Sequence, residues 1–235
     1  MYRAFINKDL KKDDQVFIDE YNHIVNVLRM TPGQEIELAG NNGVFLSTIE
    51  DISNQLRLKV GQEIKVDTES PIKISLYQAL AKGDKFEDVV RKSVELGVYE
   101  VIPVETQRCV VKLTGSKKDR KIGRYQSISE SAAKQSKRAY IPRVRDLTNI
   151  RDISTENLLV AYEEEGVSFK DVLKKYSGRE ISILVGPEGG FSREEIDYLI
   201  GKGARVVNFG DRILRTETAG LFLISAIQYE LGDMG

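Results

Sequence analysis

The chain has a single cysteine, Cys109, and a single histidine, His23. One cysteine excludes a disulfide framework within the chain and a Cys-rich zinc site. One histidine excludes a His-based metal site and a triad built on two histidines, so no metal is expected. No run approaches 18 apolar residues, so a membrane span is not expected. The first residues, MYRAFINKDLKKDD, hold no apolar stretch of the kind a secretory signal needs. These scarcities fit a reducing, cytoplasmic setting. Cys109 is read as a packing residue, and His23 as non-catalytic.

What is present is ordinary for a globular chain of 235 residues, with 41% hydrophobic and 30% charged residues. The net charge of −1 hides an asymmetry. Arg108 to Arg145 holds twelve Lys or Arg against Asp119 and Glu130, a local balance of +10. Such a stripe on an otherwise acidic chain can hold a polyanion. A solvated helix face with a Lys-rich loop is the plainer alternative.

Short β-like runs fill the first seventy residues: 15–18, 35–39, 44–50, 56–60 and 63–67. Pro32-Gly33, the Gly40 to Gly43 turn and Ser53-Asn54 separate them. That spacing predicts a small barrel or sandwich, interrupted by one helix around 20–30. After Ser70-Pro71 strands and helices alternate. Strands are expected at 74–80, 101–104, 158–162, 181–185 and 205–209. Helices are expected near 85–96, 119–138, 169–176, 193–203 and 216–231. The alternation predicts an α/β domain with a mostly parallel sheet. The chain therefore divides into 1–70 and 71–235, with the boundary near 68–73. The last helix is apolar nearly all round, which requires burial on two sides: deep in one core, or shared with a second subunit.

Two segments stand out. GPEGG (186–190) follows a hydrophobic strand and precedes a helix capped by Ser192. In open α/β sheets, ligands bind beyond the carboxyl ends of the strands. No GxGxxG or GxxxxGK[ST] exists, so dinucleotide and P-loop readings lose support. Taken alone, a glycine turn after a strand is structural more often than not. GDRILRTETAG (210–220) follows the next strand and leads into the apolar helix. Thr216 and Glu217 suit a helix start. Arg212 and Arg215 do not: they bring positive charge to the positive end of a helix dipole, which asks for an anion or carboxylate nearby.

VGPEGGFSREE (185–195) with FGDRILRTETAG (209–220) closely resembles the RsmE family, the 16S ribosomal RNA uridine-N3 methyltransferases of the SPOUT superfamily. KGDKFEDVVRKSVELGVYEVIPVETQRCVVK (82–112) looks like that family's opening segment. SAAKQSKR (131–138) resembles its AxEQSxR helix, with Lys134 where the family often has Glu. Residues 1–6 and HIVNVLRM (23–30) resemble its N-terminal RNA-binding domain. The resemblance covers nearly the whole chain.

The resemblance implies a PUA-like β-barrel followed by a SPOUT α/β domain with a C-terminal trefoil knot, assembled as a homodimer. It implies S-adenosyl-L-methionine as cofactor, held by Leu184, Gly186, Glu188, Gly189, Gly190, Phe209, Gly210, Ile213, Leu214, Arg215, Thr218 and Ala219. The substrate is then 16S rRNA or the small ribosomal subunit. Uracil N3 carries a proton, so methylation needs a base or a cationic group that stabilises the anion. Arg215 is expected to stabilise charge on the uracil. Glu217 is expected to orient it or accept a proton, or else to serve only as a helix-start residue. Arg3, Arg29, Lys112, Lys117, Lys118, Arg124, Lys137 and Arg138 are the expected RNA grip. Two alternatives stay open: a SPOUT enzyme acting on another RNA, and a non-catalytic RNA-binding ribosome-assembly protein.

Overall fold

The computed structural model describes residues 1–163 and 166–235. The chain folds as two units, each with its own sheet.

The first unit comprises Met1–Glu69 with Lys137–Tyr140. Its strands are β1 (Arg3–Phe5), β2 (Gln15–Ile18), β3 (Glu35–Gly40), β4 (Gly43–Asp51) and β5 (Leu56–Ile64). They form one sheet in the order β1-β3-β4-β5-β2, with β1 parallel to β3 and the other pairs antiparallel. Period-two alternation does the packing. In β2, Val16 and Ile18 point inward while Phe17 faces out. With Leu38, Ile49, Leu56 and Leu58 they close a continuous apolar core.

Three local expectations are corrected here. The runs at 56–60 and 63–67 belong partly to one strand, β5, because a bulge opposite Phe45–Ser47 lets pairing continue through Gly61. A Cβ at Gly61 would lie 2.3 Å from the Leu46 carbonyl oxygen, so only glycine keeps the two chains this close. The helix expected at 20–30 shrinks to a π-helical turn, Asn22–Val27. The three-residue strand β1 is too short to announce itself by periodicity.

The second unit comprises Ser70–Ser136 and Ile141–Gly235. Its strands are β6 (Lys73–Ala79), β7 (Glu100–Glu105), β8 (Arg143–Val144), β9 (Thr148–Asn149), β10 (Leu158–Ala161), β11 (Val167–Ser168), β12 (Glu180–Val185) and β13 (Arg205–Asn208). They pair in the order β11-β13-β10-β12-β6-β7-β8, with β9 also on β7, and every pair is parallel. The helices are α1 (Lys85–Glu95), α2 (Gly115–Gln135), α3 (Phe169–Lys174), α4 (Arg193–Gly201) and α5 (Thr216–Leu231).

A parallel sheet covered on both faces needs near-continuous apolar strands. β10 is buried at all four positions, and β12 at Ile181, Ile183, Leu184 and Val185. Ser192 and Glu195 form a reciprocal capping box at the start of α4. Gly97, at φ +87°, stops α1 as expected. In α5, Leu223, Ile224 and Ile227 are buried, while Phe222 is 42% and Tyr229 69% exposed. One face of this apolar helix is therefore buried in its own unit, and another faces outward.

Helix α2 ends at Gln135, three residues before the expected end. Lys137 then turns into the left-handed region at φ +55°. The tetrapeptide 137–140 leaves the helix to join the first unit.

Candidate cofactor site at the ends of the parallel strands

The ladders bring strand ends to one edge. Ala161 of β10 lies opposite both Val185 of β12 and Val207 of β13, and Val185 also lies opposite Gln78 of β6. The segments following these strands converge into one cleft. It is lined by Ala161, Tyr162 and Glu163 after β10, and by Val185, Gly186, Pro187, Gly190 and Phe191 after β12. Asn208 ends β13, Phe209, Gly210, Arg212, Ile213 and Leu214 follow it, and Thr216 and Ala219 come from α5. The two motifs, separated by the whole of α4 and β13, thus form one site.

Of the expected cofactor residues, Gly186, Gly190, Phe209, Gly210, Ile213, Leu214 and Ala219 line the cleft. Leu184 is fully buried in the core behind it. Glu188, Gly189, Arg215 and Thr218 stand outside the lining residues. Sequence reasoning missed Tyr162, Glu163 and Asn208. The rule that ligands gather beyond strand ends, applied to β10 as well as to β12 and β13, would have found them.

The main chain around the cleft suits a ligand that bonds to backbone groups. Among the described residues, Gly210 to Leu214 make no main-chain hydrogen bond. Gly210 sits at φ +114° and Gly190 at φ +66°, conformations that glycine adopts freely. Unpaired donors and acceptors at a concave, partly apolar edge are what an adenine and ribose require. The residues present therefore fit S-adenosylmethionine.

Polar contacts hold the glycine loop from several sides. Arg108 Nη1 donates to the Gly189 carbonyl at 3.0 Å. Thr216 Oγ1 donates to the Gly186 carbonyl at 2.6 Å. The Glu188 carboxylate accepts the Lys82 main-chain N–H at 3.1 Å, and Lys85 Nζ lies 3.4 Å away. Burial opposes ionisation of Glu188, but its own main-chain N–H, that of Lys82 and the Lys85 ammonium outweigh it and lower its pKa. Lys85 Nζ is also 3.4 Å from Glu217. No sequence signal marked Lys85, which reads simply as the first residue of α1.

Arg215 caps α5 by its backbone: its carbonyl accepts the N–H groups of Thr218 and Ala219, both at 2.8 Å. Its side chain and that of Arg212 are exposed, and among the described residues neither has a carboxylate partner. The charge anomaly read from the sequence persists in the fold.

The expected RNA grip divides. Lys117, Lys137 and Arg29 are exposed and Lys118 is half-buried. Lys112 is exposed but pairs with Glu105 at 2.7 Å, and Arg124 with Glu87 at 2.7 Å. The Arg124 guanidinium holds the buried Glu87 carboxyl below the usual range, against its burial and with help from Lys121. Arg3 and Arg138 are corrected. Arg3, 4% exposed, bonds Glu37 and the Lys137 carbonyl. Arg138, also 4% exposed, forks onto Glu69, whose carboxylate further accepts the N–H groups of Ala139 and Tyr140. Guanidinium groups so occupied brace the first unit and are not offered to phosphates.

Cys109 is buried against the carbonyls of Leu80 and Val104, a packing residue as expected. His23 packs against Tyr2 in a tilted contact, with ring centroids 5.0 Å apart and planes at 42°. Among the described residues, no cluster of His, Cys, Asp or Glu is placed to hold a metal. No helix among them is long and apolar enough to cross a membrane.

Residues 68–228 match the family model described as RNA methyltransferase domain, and residues 19–55 match that of the RNA methyltransferase PUA domain. The ribosomal RNA small subunit methyltransferase E of Bacillus subtilis is 34% identical over 225 residues, covering 90% of this chain and 88% of the relative. The solved structure of the enzyme of that name from Neisseria gonorrhoeae, bound to S-adenosyl methionine, superposes with a TM-score of 0.91 at 30% identity over the full length of both chains. A Legionella pneumophila methyltransferase with bound SAM gives a TM-score of 0.88 at 31% identity, covering 99% and 98% of the two chains. The PUA-like and SPOUT α/β fold expected from the motifs is the fold of this chain. On the extent and strength of these matches, the chain belongs to the ribosomal RNA small subunit methyltransferase E family of RNA methyltransferases.

Proposed function

We propose that this protein uses S-adenosyl-L-methionine to methylate N3 of a specific uridine in 16S ribosomal RNA. The observation that carries the reading is the cleft itself. Gly210, Arg212, Ile213 and Leu214 line it with main-chain groups that have no main-chain partner among the described residues, and Arg215, without a carboxylate partner among those residues, stands at the N-terminus of the helix beside it.

Bound there, the cofactor supplies an electrophilic methyl group on a sulfonium. The chain must do the rest: hold the cofactor, exclude water and position the acceptor. Gly186, Gly190 and the 209–214 turn hold it by main-chain contacts, with Leu184, Glu188, Gly189, Thr218 and Ala219 supporting them. Arg215 offers a guanidinium to the uracil oxygens while the N3 proton passes to Glu217 or to water, and a fixed cation there stabilises the developing anion. Glu217, engaged by Lys85, suits an orienting role.

Lys117, Lys118, Lys137 and Arg29, with Lys112 and Arg124 in exchange for their carboxylates, form the phosphate grip. We further assign the deep trefoil knot to the chain from β10 to α5. β12 lies between β10 and β6, and the chain then returns to the far side of β10 as β13. The outward face of α5, with Phe222 and Tyr229, supports a homodimer. A ribosomal RNA substrate supports a cytoplasmic setting. Calorimetric titration with S-adenosylmethionine, followed by methylation of small-subunit RNA and nucleoside analysis, tests the assignment. Absence of cofactor binding would leave the non-catalytic reading.

A further inference from the structure

Beneath the cleft, three residues from three elements are joined in a line. Gln78, the penultimate residue of β6, is fully buried. Its Nε2 donates to Thr216 Oγ1 at 2.9 Å, and Thr216 Oγ1 donates to the Gly186 carbonyl at 2.6 Å. Gly186 opens the glycine loop after β12, and Thr216 is the first residue of α5.

The direction of this line follows from elementary chemistry. A carbonyl only accepts, and a hydroxyl has one proton to give. Because that proton is on Gly186, Thr216 must accept from Gln78. The amide is thereby forced to present its nitrogen to Thr216. Its oxygen is left facing α5, where a Cβ at Gly220 would lie 3.1 Å from it. Among the described residues, Gln78 Oε1 has no hydrogen-bond partner.

A buried amide with one unpaired group is costly, and an apolar side chain of that size would avoid the cost. Arg215 and Glu217 flank Thr216, so whatever locks Thr216 also locks their spacing from the glycine loop.

We propose that Gln78 is a positioning residue for methyl transfer. By fixing the Thr216 proton on Gly186, it sets the register between the cofactor loop and the start of α5. The inference rests on the cofactor reading above, but one arm of its test does not need the cofactor.

The variants are Gln78→Met, Gln78→Glu, Thr216→Val and Thr216→Ser. They are compared by amide hydrogen exchange at 186–190 without ligand, by S-adenosylmethionine titration, and by thermal melting. Thr216→Ser keeps the hydroxyl and should recover most of the loop protection and cofactor affinity that Thr216→Val loses. Thr216→Val removes both bonds of the line, and Gln78→Met removes the bond to Thr216 and a longer one to the Ala79 carbonyl; both should exchange faster in the loop and bind the cofactor at least about tenfold more weakly. The melting temperature of Gln78→Met should not fall in proportion, because the unpaired oxygen is gone. Gln78→Glu carries the most specific signature. Its protonated carboxyl can donate to Thr216 and its ionised form cannot. Cofactor affinity should therefore weaken as pH rises, while wild type and Gln78→Met stay flat.

Wild-type exchange and affinity in both Gln78→Met and Thr216→Val would overturn the proposal. So would a Gln78→Glu variant that tracks wild type up to alkaline pH. If the wild type itself binds no S-adenosylmethionine, the proposed function fails and the exchange data alone decide the relay.

Discussion

Lys85 Nζ stands 3.4 Å from a carboxylate oxygen of Glu188 and 3.4 Å from one of Glu217, joining the glycine loop to the start of α5 through a single ammonium. Remove that ammonium and the site keeps two carboxylates without the cation they share. Both pairs are partly exposed, so the stability change for Lys85→Ala should stay below about 1 kcal/mol. The catalytic change should be larger, because a small displacement of the loop misplaces the methyl group. We expect kcat/KM to fall roughly tenfold. Steady-state kinetics alongside thermal melting separate the two effects, and Lys85→Arg should recover part of the loss.

Glu188 gives the site an acid limit. Its pKa is held below the ordinary 4.5 by its own and the Lys82 main-chain N–H groups and by Lys85, against burial. A carboxyl with a depressed folded value adds stability that is complete above its unfolded value and is lost as pH falls through the folded one. Wild type should therefore melt higher than Glu188→Gln at neutral pH. The gap should close as pH falls below 4.5 toward the depressed value. A gap that widened on acidification would reverse the assignment.

Arg215 is expected to act on the rate more than on cofactor affinity. Arg215→Ala should lower kcat at saturating S-adenosylmethionine by about a hundredfold or more, the usual scale for a group facing transition-state charge. Calorimetry should find the cofactor dissociation constant nearly unchanged. Intact turnover in this variant would remove Arg215 from the chemistry.

The basic residues should separate by salt dependence. Lys117→Ala and Lys118→Ala should each weaken RNA binding and lower the slope of log affinity against log salt by about one. Arg138→Ala should leave that slope alone and destabilise the first unit instead. It strips the half-exposed Glu69 of its forked partner, a loss of about 1–3 kcal/mol for charge-assisted hydrogen bonds.

How far the sequence discloses this molecule depends on range. The strands 15–18, 74–80, 101–104, 158–162, 181–185 and 205–209 were legible because each is a short apolar or alternating run between turn residues. The long apolar α5 was legible for its composition. β8, β9 and β11 have two residues each and carry no period. Partners far apart in sequence were not legible either. Nothing local says that Arg138 meets Glu69, that Lys85 meets Glu217, or that Gln78 meets Thr216. The cationic anomaly at Arg212 and Arg215 was readable because it breaks a local rule of helix electrostatics, and among the described residues neither side chain meets a carboxylate.

The most direct test is nucleoside mass spectrometry and site mapping of small-subunit ribosomal RNA from a strain lacking this protein. Complementation uses either the wild type or Arg215→Ala. One 3-methyluridine should be absent in the deletion strain, restored by the wild type, and missing or sharply reduced with Arg215→Ala. An unchanged methylation pattern, or a lost methyl group on a different atom or a different RNA, would contradict the proposed activity.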